Sequence, residues 1–163
     1  MPKHQENEFL IRKRPPHHAP LEIGNRGIFV FVTICTKDRQ KWLACEDGML
    51  ALVVASREAT HWQIGRFVLM PDHVHFFCAP GTWPPSSLAK WVRFWKRSFT
   101  QSLRQRNSHF QWQRDFWDTQ LRTGDSYSEK WSYVRNNPVR AGLVKDADCW
   151  PYQGELNALQ WRD

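Results

Sequence analysis

Apolar positions along the chain follow two periods, and the switches between them mark the elements. Residues 28–36 (IFVFVTICT) are almost continuously apolar and rich in β-branched and aromatic types, the pattern of a central strand buried on both faces. Residues 46–61 carry helix formers with Met49, Leu50, Leu52 and Val53 clustered, which predicts a helix. Residues 65–70 and 73–79 read as two strands joined at Pro71-Asp72. Residues 81–87 form a proline-broken loop whose serines can cap the next helix. That helix runs from Leu88 to about Arg106, because Leu88, Trp91, Val92, Trp95, Phe99 and Leu103 recur three or four residues apart as one apolar stripe. Residues 110–121 (FQWQRDFWDTQL) read as strand or extended chain. A last helix is expected from Asp125 to Asn137, where Pro138 interrupts it.

The order strand, helix, strand, strand, helix, strand, followed by a further helix, is the split βαβ ferredoxin-like pattern. The expected fold is therefore α+β: an antiparallel sheet with helices on one face, the other face open, and a C-terminal helix. At 163 residues the chain is of single-domain size. Residues 25–152 are expected to form that domain. Residues 1–24, polar, basic and proline-broken, read as an irregular arm containing Arg12, Lys13 and Arg14; residues 153–163 read as a short tail.

Charge narrows the partners. The chain is basic, with a net charge of +7, and carries 10 Trp and 10 Phe. Cations that neutralise phosphates and rings that stack on bases suit nucleic acid, although most of these aromatics belong to the core. Lys90, Arg93, Arg97 and Arg104 lie opposite the apolar stripe of the Leu88 helix, either as a solvated face or as a phosphate-tracking surface. The four cysteines show no C-x-x-C spacing, and Cys35 and Cys78 lie in apolar runs, so free thiols in a reducing cytoplasm are expected. No apolar run reaches the roughly 20 residues of a membrane span.

Two places carry candidate chemistry. In His73-Val74-His75 the strand alternation puts both imidazoles on one face, a two-point claw for a divalent metal unless they are simply solvated or satisfied in a core. In the last helix, Tyr127, Trp131 and Val134 make the apolar stripe, which assigns Tyr127 to the core. Tyr133 lies roughly 120° off that stripe, on the side of Glu129 and Asn137. Asn137 before Pro138 also reads as the N-cap and first residue of a new helix, 139–143, and the two roles do not exclude each other.

These segments together resemble a known family. FVTICTKDRQ (31–40), VLMPDHVHFF (68–77), WVRFWKRSFTQ (91–101), WQRDFWDTQLR (112–122) and above all SYVRNNPVRAGLV (132–144) are similar to the single-tyrosine HUH transposases of the IS200-like family, in particular the REP-associated tyrosine transposases. The resemblance covers most of residues 25–152. It implies His73, His75 and Asn137 as ligands of a divalent metal, Mg²⁺ or Mn²⁺, and Tyr133 as the nucleophile. It implies cleavage of single-stranded DNA beside REP-like hairpins through a 5′-phosphotyrosine, by a cytoplasmic monomer or homodimer with no membrane partner. Arg12, Lys13, Arg14 and the α-helical cations Lys90, Arg93, Arg97 and Arg104 are the candidate DNA contacts. Two residues depart from the pattern: Asp72 stands where the family commonly has Asn, a small change in the turn, and Thr119 stands where it frequently has His. A catalytically idle hairpin-binding module is the alternative, and a metal hydrolase unrelated to this family is a third reading. The remaining histidines (His4, His17, His18, His61, His109) form no partner motif for the third.

Overall fold

The computed structural model describes His17, residues 27–122 and residues 124–160. Its strands are β1 (Phe29–Cys35), β2 (Trp62–Leu69), β3 (His73–Pro80), β4 (Trp117–Leu121) and β5 (Gln153–Glu155); its helices are α1 (Glu46–Glu58), α2 (Leu88–Arg104), α3 (Gly124–Arg135) and α4 (Asn137–Arg140). The strands form one sheet in the order β4-β1-β3-β2-β5, and every pairing is antiparallel. With β3 inserted between β1 and β2, this is the split βαβ arrangement expected from the element order.

Alternation along β1 and β3 divides the core into two layers. Val30, Val32 and Ile34 of β1, with Val74, Phe76 and Cys78 of β3, face α1 and α2 and pack against Leu52, Ala55, Trp91, Trp95 and Phe99. Phe29, Phe31 and Phe77 face the other way, against Tyr127 and Val134 of α3 and against Trp150. That second face is therefore not left open along its length. α3 and the 147–150 turn cover part of it, because the stripe of Tyr127, Trp131 and Val134 needs an apolar surface to bury.

Three local differences from the sequence reading have physical causes. Residues 110–116 are irregular rather than strand: Phe110 and Trp112 turn inward onto Phe99, and Lys96 Nζ donates to the carbonyls of Gln113 (2.6 Å) and Arg114 (3.0 Å). The expected tail supplies β5, whose backbone pairs with the edge strand β2. The last helix ends at Arg135 and Asn136, rather than Asn137, caps α4, while its Nδ2 donates to Ser132 O at 2.8 Å and satisfies a last-turn carbonyl of α3. α4 then closes at Gly142, whose φ of +71° is the left-handed conformation that favours glycine there.

Candidate metal centre and tyrosine helix

β3 carries His73 and His75 on the face opposite α1 and α2, as the alternation requires. Their Nε2 atoms lie 3.1 Å apart and the rings meet edge to face with centroids 4.6 Å apart. Two nitrogens bound at a right angle to one ion, with bonds of about 2.1 Å, are separated by about 3 Å. The pair therefore fits a divalent metal. Both Nδ1 atoms have partners: Asp72 Oδ1 at 2.7 Å from His73, and Thr33 Oγ1 at 2.7 Å from His75, its register partner on β1. Such outer partners leave Nε2 to the metal. Burial, reinforced by the adjoining His73 imidazole and by the charges of Lys130, Arg39 and Arg140, lowers the His75 pKa well below its ordinary value and keeps the ring a neutral donor. Among the described residues, no group of three or more His, Cys, Asp or Glu side chains could hold an ion. Any third ligand among the described residues must be of another type, and an amide is one such donor.

The two tyrosines of α3 have different surroundings. Tyr127 is buried, edge-on to Phe29 and Phe77, and its pKa is raised by that burial. Tyr133 is 61% exposed. The Arg140 guanidinium lies 3.9 Å from the Tyr133 ring centroid and also donates to Asn137 Oδ1, so one cation touches both residues. Lys130 Nζ lies 4.7 Å from the Phe31 ring centroid and 5.9 Å from that of Tyr133, and Phe31 in turn stacks on His75 at 5.3 Å. A chain of contacts thus runs from the histidine pair through Phe31 and Lys130 to the exposed tyrosine. Asn137 keeps its side chain out of capping, since no cap hydrogen bond is made at the start of α4 by Asn136 and Asn137 Oδ1 is engaged by Arg140.

The candidate DNA contacts separate. Arg12, Lys13 and Arg14 lie outside the described residues. Lys90, Arg93, Arg97 and Arg104 are all exposed on α2, and α2 packs on the face of the sheet away from the histidines. Instead Arg39 (3.5 Å from His73 Nδ1), Lys130 and Arg140 are the cations whose charge reaches His75, and the sequence reading passed over all three. Lys130 and Arg140 could have been found by helical spacing, three residues before Tyr133 and three after Asn137. Thr33 was legible too, as the polar residue in an otherwise apolar strand. Thr119 is exposed on β4 opposite Phe31, on the histidine side.

No helix among the described residues is long and apolar enough to cross a membrane. A REP-associated tyrosine transposase of Escherichia coli (strain K12) is 27% identical over 128 residues, covering 77% of this chain and 74% of that protein. The solved structure of a REP-associated tyrosine transposase bound to a REP hairpin matches with a TM-score of 0.65 and 24% identity, covering 84% of this chain and 82% of that one, which shows a shared fold. The model of the family described as "Transposase IS200 like" matches residues 28–137, the span that runs from β1 through the histidine pair to Tyr133 and Asn137, and the chain belongs to that family.

Proposed function

We propose that the protein is a single-stranded DNA endonuclease and strand transferase that cuts beside hairpins through a covalent tyrosine intermediate. The observation that carries this reading is the convergence of two imidazole Nε2 atoms 3.1 Å apart, linked through Phe31 and Lys130 to a tyrosine that the core does not use. His73 and His75, with Asn137 as the third ligand, would hold Mg²⁺ or Mn²⁺. Bound there, the ion supplies Lewis-acid stabilisation of the charge developing on the scissile phosphate.

The residues of the chain do the rest. The Tyr133 Oη attacks phosphorus; the phosphorus–3′-oxygen bond breaks, leaving a 5′-phosphotyrosine and a 3′-hydroxyl. The phenol releases one proton to solvent and the departing 3′-oxygen takes one up. A phenol, with an ordinary pKa of about 10, is a poor nucleophile at neutral pH, so positioning on the helix and nearby positive charge must help. Lys130 and Arg140 supply such charge beside the ring, 5.9 and 3.9 Å from its centroid. Because the intermediate conserves the bond energy, a second 3′-hydroxyl can reverse the step and join a new strand.

The REP hairpin held by the structural relative points to hairpin-flanked single strands as the substrate class. A stacked duplex would have to be melted first, at about 1.4 kcal/mol per step. The four cysteines, free in this fold, suit a reducing cytoplasm. The test incubates the full chain with hairpin-bearing single-stranded oligonucleotides and Mn²⁺ and resolves covalent protein–DNA adducts. An adduct with the single strand, absent with the paired duplex of the same sequence, is expected. Hairpin binding with no adduct would return the chain to an idle binding module.

A further inference from the structure

The two histidines differ in how their second nitrogen is held, and that difference assigns a role to a pair of charges behind the site. His75 Nδ1 meets the Thr33 hydroxyl, which can donate or accept and so leaves the tautomer free to adjust. His73 Nδ1 meets Asp72 Oδ1, a carboxylate oxygen that only accepts. That carboxylate, 2.7 Å away against 3.5 Å for Arg39 Nη2 on the same nitrogen, favours the tautomer of His73 with its proton on Nδ1 and its lone pair on Nε2, the atom aimed at His75 Nε2.

The carboxylate is itself fixed from several directions. Arg39 Nε donates to Asp72 Oδ2 at 2.8 Å, and Arg39 Nη1 donates to Cys35 Sγ at 3.0 Å. Cys35 is the register partner of His73 on β1, so the guanidinium is tied to the strand beside the ligand. The Asp72 carbonyl accepts from Thr36 N (2.9 Å) and from Thr36 Oγ1 (3.0 Å), and Leu43 N donates to Pro71 O at 2.9 Å. Arg39 reaches Asp72 only because the backbone turns through left-handed conformations at Asp38 (φ 54°) and Arg39 (φ 53°), a region L side chains rarely adopt. Two such residues in succession, beside a candidate site, are held there by the contacts that follow.

We propose that Asp72, clamped by Arg39, is the positioning residue that makes His73 a fixed and strongly basic metal ligand. The inference rests on the proposed metal site. With Oδ2 taken by Arg39 and Oδ1 by His73, the carboxylate is kept from swinging in as a ligand itself. Its charge is passed instead through the imidazole, raising the donor strength of Nε2. Outer partners of this kind typically change metal affinity by about 10- to 100-fold.

The experiment measures Mn²⁺ binding to the full chain by calorimetry, for wild type, Asp72→Asn and Arg39→Met, with thermal unfolding of the metal-free proteins alongside. Asp72→Asn is expected to weaken Mn²⁺ binding by about 10-fold or more with little change in unfolding midpoint, and Arg39→Met to weaken it by less. Equal Mn²⁺ affinity in wild type and folded Asp72→Asn would overturn the inference while leaving the metal site standing. Wild type that takes up no Mn²⁺ would overturn the metal reading and this inference with it. The imidazole nitrogen spectrum of metal-free wild type gives an independent readout that no unfolded variant can obscure. His73 should carry its proton on Nδ1, and a proton on Nε2 would refute the assignment.

Discussion

The two faces of the sheet are cut from the same strands but finished differently. Toward α1 and α2, the side chains of Val32, Ile34, Val74, Phe76 and Cys78 are wholly buried, and several of the polar atoms admitted to that layer are paired within it, Trp112 Nε1 being an exception. Trp91 Nε1 donates to Ala59 O at 2.7 Å, Trp95 Nε1 to Ser56 Oγ at 3.2 Å, and Ser98 bonds Glu58. Toward α3, Phe29, Phe31 and Phe77 form a second, smaller apolar layer, and at its end Thr33, His73 and His75 stay partly accessible. The difference shows where chemistry can sit in such a fold. A face closed by two long helices has no room for groups that must exchange partners. A face half covered by one helix keeps donors ordered and within reach of solvent.

The contrast breaks first at α3, where two tyrosines of one helix stand on opposite sides of the divide. Tyr133→Phe should reduce strand cleavage on the order of 10⁴-fold or more, while hairpin binding stays near wild type. Tyr127→Phe, which alters only a buried ring in the apolar layer, should cut normally. Single-turnover cleavage and a gel-shift titration on the same oligonucleotide separate the two, and cleavage by Tyr133→Phe at the wild-type rate would remove the nucleophile assignment.

A second pair of substitutions compares the faces directly. Trp95→Ala, in the closed layer, should lower unfolding free energy by about 3–5 kcal/mol, leaving the activity of the folded fraction intact. His73→Ala with His75→Ala should remove metal-dependent cleavage and cost less, about 1–2 kcal/mol, since His75 gives up its stacking on Phe31 and its bond to Thr33. Denaturant unfolding with parallel cleavage assays decides it. Loss of cooperative unfolding in the double histidine variant, with cleavage retained by whatever remains folded, would make the pair structural.

What could be read in advance follows the same divide. β1, β3 and α2 were legible because each buries a whole face or stripe, and burial writes its period into the sequence. The separation of Tyr127 from Tyr133 came from helical angle alone. The Arg39–Asp72 clamp spans 33 residues and depends on two left-handed backbone positions that no local pattern signals. β5 was missed because Gln153–Glu155 is only three residues long, polar around a glycine, and carries no apolar alternation. The cations of α2 were visible as a basic face, but their side of the sheet is set by packing, and packing turned them away from the histidines.

That separation gives the next test. Arg93→Glu with Arg97→Glu should weaken hairpin binding by about 10-fold at low salt and reduce the salt slope by about 2, equally for different sequences. The cleavage rate of bound DNA should not change, because those cations are remote from the tyrosine. Lys130→Gln, between Phe31 and Tyr133, should do the reverse, slowing cleavage of bound DNA with a small effect on affinity. Identical salt slopes in wild type and the α2 double reversal would leave that face merely solvated.

The smallest expected effect probes the closed side. Burial, opposed by Asp115 and aided by Arg93, lowers the Lys96 pKa from 10.5 to about 8, while Nζ still donates to the carbonyls of Gln113 and Arg114. Below about pH 8 the folded and unfolded chains both hold the proton and this group adds no pH dependence. Between about pH 8 and 10.5 the unfolded chain still holds the proton that the folded chain has released, so its contribution to stability rises with pH. Thermal unfolding followed from about pH 7 to about pH 10 should therefore show a slope in wild type that is shallower in Lys96→Met. Lys96→Met should also unfold at a lower temperature throughout, since two carbonyls lose their donor. Arg93→Glu places a carboxylate where Arg93 now opposes the ammonium and should move the window upward, tying the exposed cations of α2 to the groups packed beneath them. Parallel curves for wild type and Lys96→Met would show that the ammonium is better solvated than its burial against residues 113–114 requires.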